Sequence, residues 1–125
     1  MARLLFIDDD TDTLLTLKKA VEMFGHQPTL ASTGEQGLRV AAQLLPDLIF
    51  VDHNLTDMSG MDVVEGLRQN AETTNIPVMM LSAGPELDAA ERAKAAGVRE
   101  YLLKPVRLQI LLDVIQKYTS NLPTA

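Results

Sequence analysis

Five short apolar runs alternate along this chain with five segments of helical period, and that alternation constrains the fold more than any other feature. The runs are Arg3 to Ile7, Gln27 to Ala31, Asp47 to Val51, Pro77 to Leu81 and Glu100 to Leu103. Strand and helix in strict alternation are the pattern of a parallel sheet whose strands are joined by crossover helices. Three of the runs, LLFI, LIFV and VMML, are apolar at every position instead of every second one. Such strands belong in the middle of a sheet covered by helices on both faces. QPTLA is more polar and contains Pro28, which has no amide hydrogen to give to a ladder, so it belongs at a sheet edge or a strand start.

Helical spacing fills the gaps. Leu14, Leu17, Val21 and Phe24 share one face of the first helix, with Gly25 as its C-cap. Leu38, Ala41, Ala42 and Leu45 share a face of the second, capped by Ser32 or Thr33. The third is expected from about Gly60 to Gln69, burying Val63, Val64 and Leu67. The fourth, Glu86 to Ala96, has a mostly alanine face beyond Leu87, so it buries little area and should be the easiest to displace. The fifth, from about Arg107 to Tyr118, turns Leu108, Leu111, Leu112 and Ile115 inward and leads into SNLPTA. A chain of 125 residues has the size of one domain, expected over residues 1–120 with 121–125 as a disordered tail.

The absence of cysteine excludes disulfides, zinc-thiolate sites and thiol catalysis, and is compatible with a reducing cytoplasm. No run approaches the ~20 apolar residues of a membrane span, and MARLLFIDDD reaches acid too soon for a secretory signal. A formal net charge of -6 with no basic stripe repels phosphate backbones, so the expected partners are proteins or small molecules, with no nucleic acid and no membrane.

In open parallel α/β sheets the ligand site lies beyond the carboxyl ends of the strands. There the chain places Asp8 and Asp9 after the first run, Asp52 after the third, Ser82 after the fourth, and Lys104 followed by Pro105 after the fifth. At ~5 Å and an effective dielectric of ~20, each carboxylate pair repels by roughly 3 kcal/mol, so the cluster needs a cation, shared protons or solvent. Hard oxygen ligands suit magnesium, which takes one or two carboxylates and leaves room for a phosphoryl oxygen. Asp52 is then the candidate nucleophile toward phosphorus, Lys104 the neutralising cation and Ser82 a hydrogen-bond donor to a phosphoryl oxygen.

These residues in this order resemble the receiver domain of two-component response regulators, of the single-domain type used in chemotaxis. The likeness runs from LLFIDDD through PDLIFVDHNLTDMSGMDVV and IPVMMLSAG to AAGVREYLLKP. It implies a flavodoxin-like, doubly wound sheet of five parallel strands in the order 2-1-3-4-5 with five helices. It implies that Asp52 is the phosphoacceptor, that Asp9, Asp52 and the Asn54 backbone carbonyl bind Mg2+, and that Asp8 helps through water. Lys104 and Ser82 would bind the phosphoryl group, Ser82 and Tyr101 would form the switch, and the Lys104-Pro105 peptide would be cis. The implied donor is a histidine kinase or histidine phosphotransferase. The implied output is a protein meeting helix 4, strand 5 and helix 5. Such a domain catalyses only its own phosphorylation and dephosphorylation. Thr56 stands where proline is usual and Val106 where phenylalanine is commonest, which bears on loop rigidity and on the packing behind Lys104. GVREY lacks the acidic pair of the subfamily joined to winged-helix domains, so that dimer mode is not assigned.

Plainer roles compete for several of these residues. Asp10 and Asp12 are read as caps of the first helix, and Asp57 as a turn residue ahead of Gly60. His53 points away from Asp52 by strand alternation, and His26 sits in a turn without a partner. Met79 and Met80 are core. Among other functions, a haloacid-dehalogenase-like phosphatase has the signature D-x-D-x-T, which DDDTDT approaches through Asp8 and Asp10 but breaks at Asp12. A pseudo-receiver that turns over no phosphate would lack site residues that this chain has. A receiver fragment of a longer DNA-binding regulator or hybrid kinase fits the C-terminal side. The start at Met1 and the early first strand fit a free-standing protein.

Overall fold

A computed structural model describes residues 1–84 and 87–120. Its elements in chain order are β1 (Arg3–Ile7), α1 (Thr11–Glu22), β2 (Gln27–Ala31), α2 (Gly34–Leu44), β3 (Leu48–Asp52), α3 (Gly60–Gln69), β4 (Val78–Ser82), α4 (Leu87–Ala95), β5 (Glu100–Leu103) and α5 (Leu108–Thr119). All the strands pair in parallel, in the order β2-β1-β3-β4-β5, the doubly wound flavodoxin-like arrangement. Pro28 lies on the β2 edge, where its missing amide hydrogen does least harm.

The uniformly apolar strands divide their side chains between two cores. Leu4, Phe6, Leu48, Phe50, Met79 and Leu81 pack under α1 and α5 with Leu14, Leu17, Val21, Leu111, Val114 and Ile115. The alternate residues Leu5, Ile7, Ile49, Val51, Val78 and Met80 pack under α2, α3 and α4 with Ala41, Val63, Val64, Leu67 and Ala93. The rings of Phe6 and Phe50 stack with centroids 5.0 Å apart between neighbouring strands. Among the described side chains of α4, Ala93 alone is fully buried.

Several expected boundaries shift, each for a physical reason. β3 and β4 run one residue further than the apolar runs, so that Asp52 pairs with Leu81 and Ser82 with Leu103 as the last ladder positions. Phe24 is exposed, because α1 ends at Glu22 and Gly25, at φ +83°, turns the chain before the helical face can continue. Leu45 is the C-cap of α2 in the left-handed region, which swings it out of the helical stripe. Leu108 opens α5 and is exposed, while the inward stripe is Leu111, Val114 and Ile115. The expected tail 121–125, and Glu86 as the start of the fourth helix, lie outside the described residues. Among those described, no helix is long and apolar enough to cross a membrane.

Candidate functional site

Register brings the acids together. Ile7 is level with Val51 on adjacent strands, so the residues that follow, Asp8 and Asp52, emerge side by side. Lys104 follows β5, which is separated from β3 by β4, and its long side chain reaches back over that strand. Its Nζ stands 2.6 Å from Asp8 Oδ2 and 3.2 Å from Asp52 Oδ1. The Lys104-Pro105 peptide is cis.

Asp8 is completely buried, yet both its oxygens are engaged: Oδ1 accepts the Asp10 N–H at 2.9 Å and Oδ2 accepts from Lys104. Its own N–H donates to the Ala31 carbonyl at 3.0 Å. Asp9 is exposed. Asp8, Asp9 and Asp52 each offer an oxygen, and these all lie within 4.8 Å of one another, a donor set of hard oxygens that fits a divalent cation. Burial first, and then the charge of Asp8, push the Asp52 carboxyl above its ordinary value; Lys104 opposes this and Asp9 adds to it. For Lys104 burial is the largest single influence and pulls downward, but hydrogen bonding and charge from Asp8 and then Asp52 together raise it, so the ammonium stays protonated.

The rest of the site is arranged around this cluster. Ser82 is buried at the end of β4, where its hydroxyl donates to the Gly84 carbonyl at 2.8 Å and accepts the Gly84 N–H at 3.3 Å. Beyond Asp52, the loop to α3 is closed by Gly60 N–H to the His53 carbonyl (2.8 Å) and Leu55 N–H to the Met58 carbonyl (3.2 Å). Neither bond uses the Asn54 carbonyl. Gly60 is required there, since a Cβ would stand 2.3 Å from the Asp52 carbonyl oxygen. Tyr101 is half-buried, and its hydroxyl has no hydrogen-bond partner among the described residues. His53 turns away from Asp52 and meets the Tyr101 ring edge-on, centroids 6.3 Å apart. A groove of about 430 Å³ leads off the site between α1 and the β5–α5 loop, lined by Thr13, Thr16, Lys104, Pro105 and Val106 among others. Val106 packs on the core beneath.

Asp10 is the N-cap of α1, accepting from Asp12 N–H and the Thr13 hydroxyl, which removes it from the acid cluster and from any D-x-D chemistry. Two plainer readings are revised. His26 does have a partner, since its Nδ1 accepts the Ala2 N–H at 3.1 Å. Asp57 is more than a turn residue: its carboxylate takes the N–H groups of Gly34 and Glu35 at the start of α2. The sequence distance of more than twenty residues between them hid that contact.

Known proteins resemble this chain in sequence and in fold. The chain is 33% identical over 115 residues to Protein PilH of Pseudomonas aeruginosa, spanning 92% of this chain and 95% of that one. It is 36% identical over 110 residues to the Transcriptional regulatory protein PrrA of Mycobacterium leprae, of whose length it spans 46%. Among solved structures, a response regulator receiver domain protein from Clostridium thermocellum superposes with a TM-score of 0.89 at 30% identity, over 96% of this chain and 95% of that one. The Vibrio cholerae chemotaxis protein CheY4 gives 0.89 at 25% identity, over 94% and 98%. The sequence model of the response regulator receiver domain matches residues 4–116. A match across nearly the whole chain, on a fold shared with solved receivers, establishes that this protein belongs to the response regulator receiver domain family of two-component signalling.

Proposed function

We propose that this receiver accepts a phosphoryl group on Asp52 from the phosphohistidine of a histidine kinase or histidine phosphotransferase, and that the modified site alters a protein-binding surface. The observation that carries the reading is Lys104 bridging two carboxylates, Asp8 and Asp52, beside a third, Asp9. An Asp52 oxygen attacks phosphorus, the O–P bond forms as the donor's P–N bond breaks, and the electron pair leaves with the imidazole nitrogen. Lys104 meets the negative charge of the transferred group, and the Ser82 hydroxyl exchanges its Gly84 partner for a phosphoryl oxygen. Asp9, Asp52 and the Asn54 carbonyl would hold Mg2+, with Asp8 acting through water because both its oxygens are already engaged. When bound, the ion neutralises the anionic reactants.

The groove between α1 and the β5–α5 loop opens beside Lys104 and gives the donor a place to dock. The output surface is α4, β5 and α5, with α4 the element most readily shifted because its apolar face beyond Leu87 is mostly alanine in sequence. The protein acts in the cytoplasm and catalyses only its own phosphorylation and dephosphorylation, as one domain over residues 1–120. Incubation with acetyl phosphate and magnesium, hydride trapping and mass spectrometry tests the assignment: label on Asp52 is expected, and label on Asp8 would overturn it.

A further inference from the structure

We propose that Asp57 is a positioning residue for the metal and phosphoryl site, tying the β3–α3 loop that carries Asn54 to the start of α2. The proposal rests on the reading above that this site takes magnesium. Both Asp57 oxygens are committed: Oδ1 accepts the Gly34 N–H at 2.8 Å and Oδ2 accepts the Glu35 N–H at 3.0 Å. α2 has its own N-cap in Thr33, whose hydroxyl takes the Gln36 N–H at 3.1 Å. Asp57 therefore receives the two first-turn donors that a self-contained helix leaves to water, and receives them at the positive end of the helix dipole. The fit is steric as well, because a Cβ on Gly34 would stand 2.5 Å from Met58 Cγ, so glycine leaves the room in which the Met58 side chain packs against the start of the helix.

The anchor lies at the far end of a closed loop. Gly60 N–H to His53 O and Leu55 N–H to Met58 O cinch residues 53–60, with Asp52 at the near end and Asp57 near the tip. Asn54 lies between them, so the tether at Asp57 limits where its carbonyl can point. Thr56 gives that loop none of the φ restriction a proline would, and the two bonds to α2 supply the restriction from outside. A carbonyl that must meet an ion at a fixed distance gains affinity from being held beforehand.

The test compares wild type, Asp57→Asn and Asp57→Ala by magnesium titration followed through amide shifts, and by hydrogen exchange of the metal-free proteins. Asp57→Ala should bind magnesium about tenfold more weakly than wild type. Asp57→Asn keeps a carbonyl oxygen for one of the two N–H groups and should fall between them. Both variants lack the charge, so the gap between them reports the bond. In the metal-free alanine variant the Leu55 and Gly60 amides should exchange faster. Equal losses in the two variants, or wild-type affinity in Asp57→Ala, would overturn the proposal, as would unchanged exchange at Leu55 and Gly60. If wild type itself binds no magnesium, the metal reading fails, and the exchange rates alone decide for or against the anchor.

Discussion

Lys104 holds its ammonium 2.6 Å from a carboxylate oxygen of Asp8, a residue with no accessible surface. The contact is closer than the 3.2 Å to Asp52, so the lysine serves the buried acid first and the nucleophile second. Before any ion binds, one cation already answers two of the three clustered carboxylates.

Lys104→Met keeps the stem and removes the charge, leaving Asp8 buried beside Asp52 without a cation. Breaking a buried pair on one side costs about 3–5 kcal/mol, and because the Lys104 side chain is 20% exposed the lower end is expected, about 3 kcal/mol. Adding Asp8→Asn should recover most of that loss. Urea melts of the two single variants, the double variant and wild type close the cycle; a Lys104→Met protein as stable as wild type would mean the pair contributes nothing.

Asp52 binds its proton more readily in the fold than in the unfolded chain, because burial and Asp8 raise its pKa. Between the unfolded value near ~3.9 and the raised folded value the native state holds more protons, so stability falls as pH rises through that window and stays lowered above it. Metal-free Asp52→Asn should therefore be more stable than wild type at pH 7, with the difference shrinking as pH falls into the ordinary carboxylate range. Magnesium should narrow the gap by stabilising wild type only. Urea midpoints across a pH series, with and without the metal, measure both effects. A variant less stable than wild type at neutral pH contradicts the argument.

Ser82→Ala removes the two hydrogen bonds that tie the end of β4 to Gly84, a loss of about 1 kcal/mol in the resting protein. Labelling of Asp52 should persist, because the nucleophile and Lys104 are untouched. With a beryllofluoride mimic, the amide shifts expected in wild type across β5 and the start of α5 should largely disappear. Wild-type shifts in the variant would show that the hydroxyl is not the coupling element.

Gly60→Ala should be the most damaging small substitution in the site. The added methyl would stand 2.3 Å from the Asp52 carbonyl oxygen and 3.0 Å from the His53 Cα, and backbone cannot yield as a side chain does. A destabilisation of about 1–3 kcal/mol is expected, together with slower phosphorylation as the Asp52 backbone is pushed aside. Thermal melts and acetyl phosphate labelling check the two halves separately.

The apolar runs and helical spacings of this chain determined the element order, the parallel sheet and the central strands, because burial periodicity is a local property of sequence; they left QPTLA at an edge or a strand start, and the strand order chose the edge. The acids, hydroxyl and ammonium at strand ends were legible for the same reason: a parallel sheet sends the carboxyl ends of all its strands the same way. Tertiary structure decided what depends on distance. That Lys104 sides with Asp8, that His26 takes the Ala2 amide and that Asp57 caps a helix more than twenty residues upstream all follow from packing between elements. Phe24, Leu45 and Leu108 went astray because helix ends are set by turn geometry, where periodicity stops carrying information. A carboxylate declares its charge in the sequence, but only the fold chooses which of the nearby donors it meets.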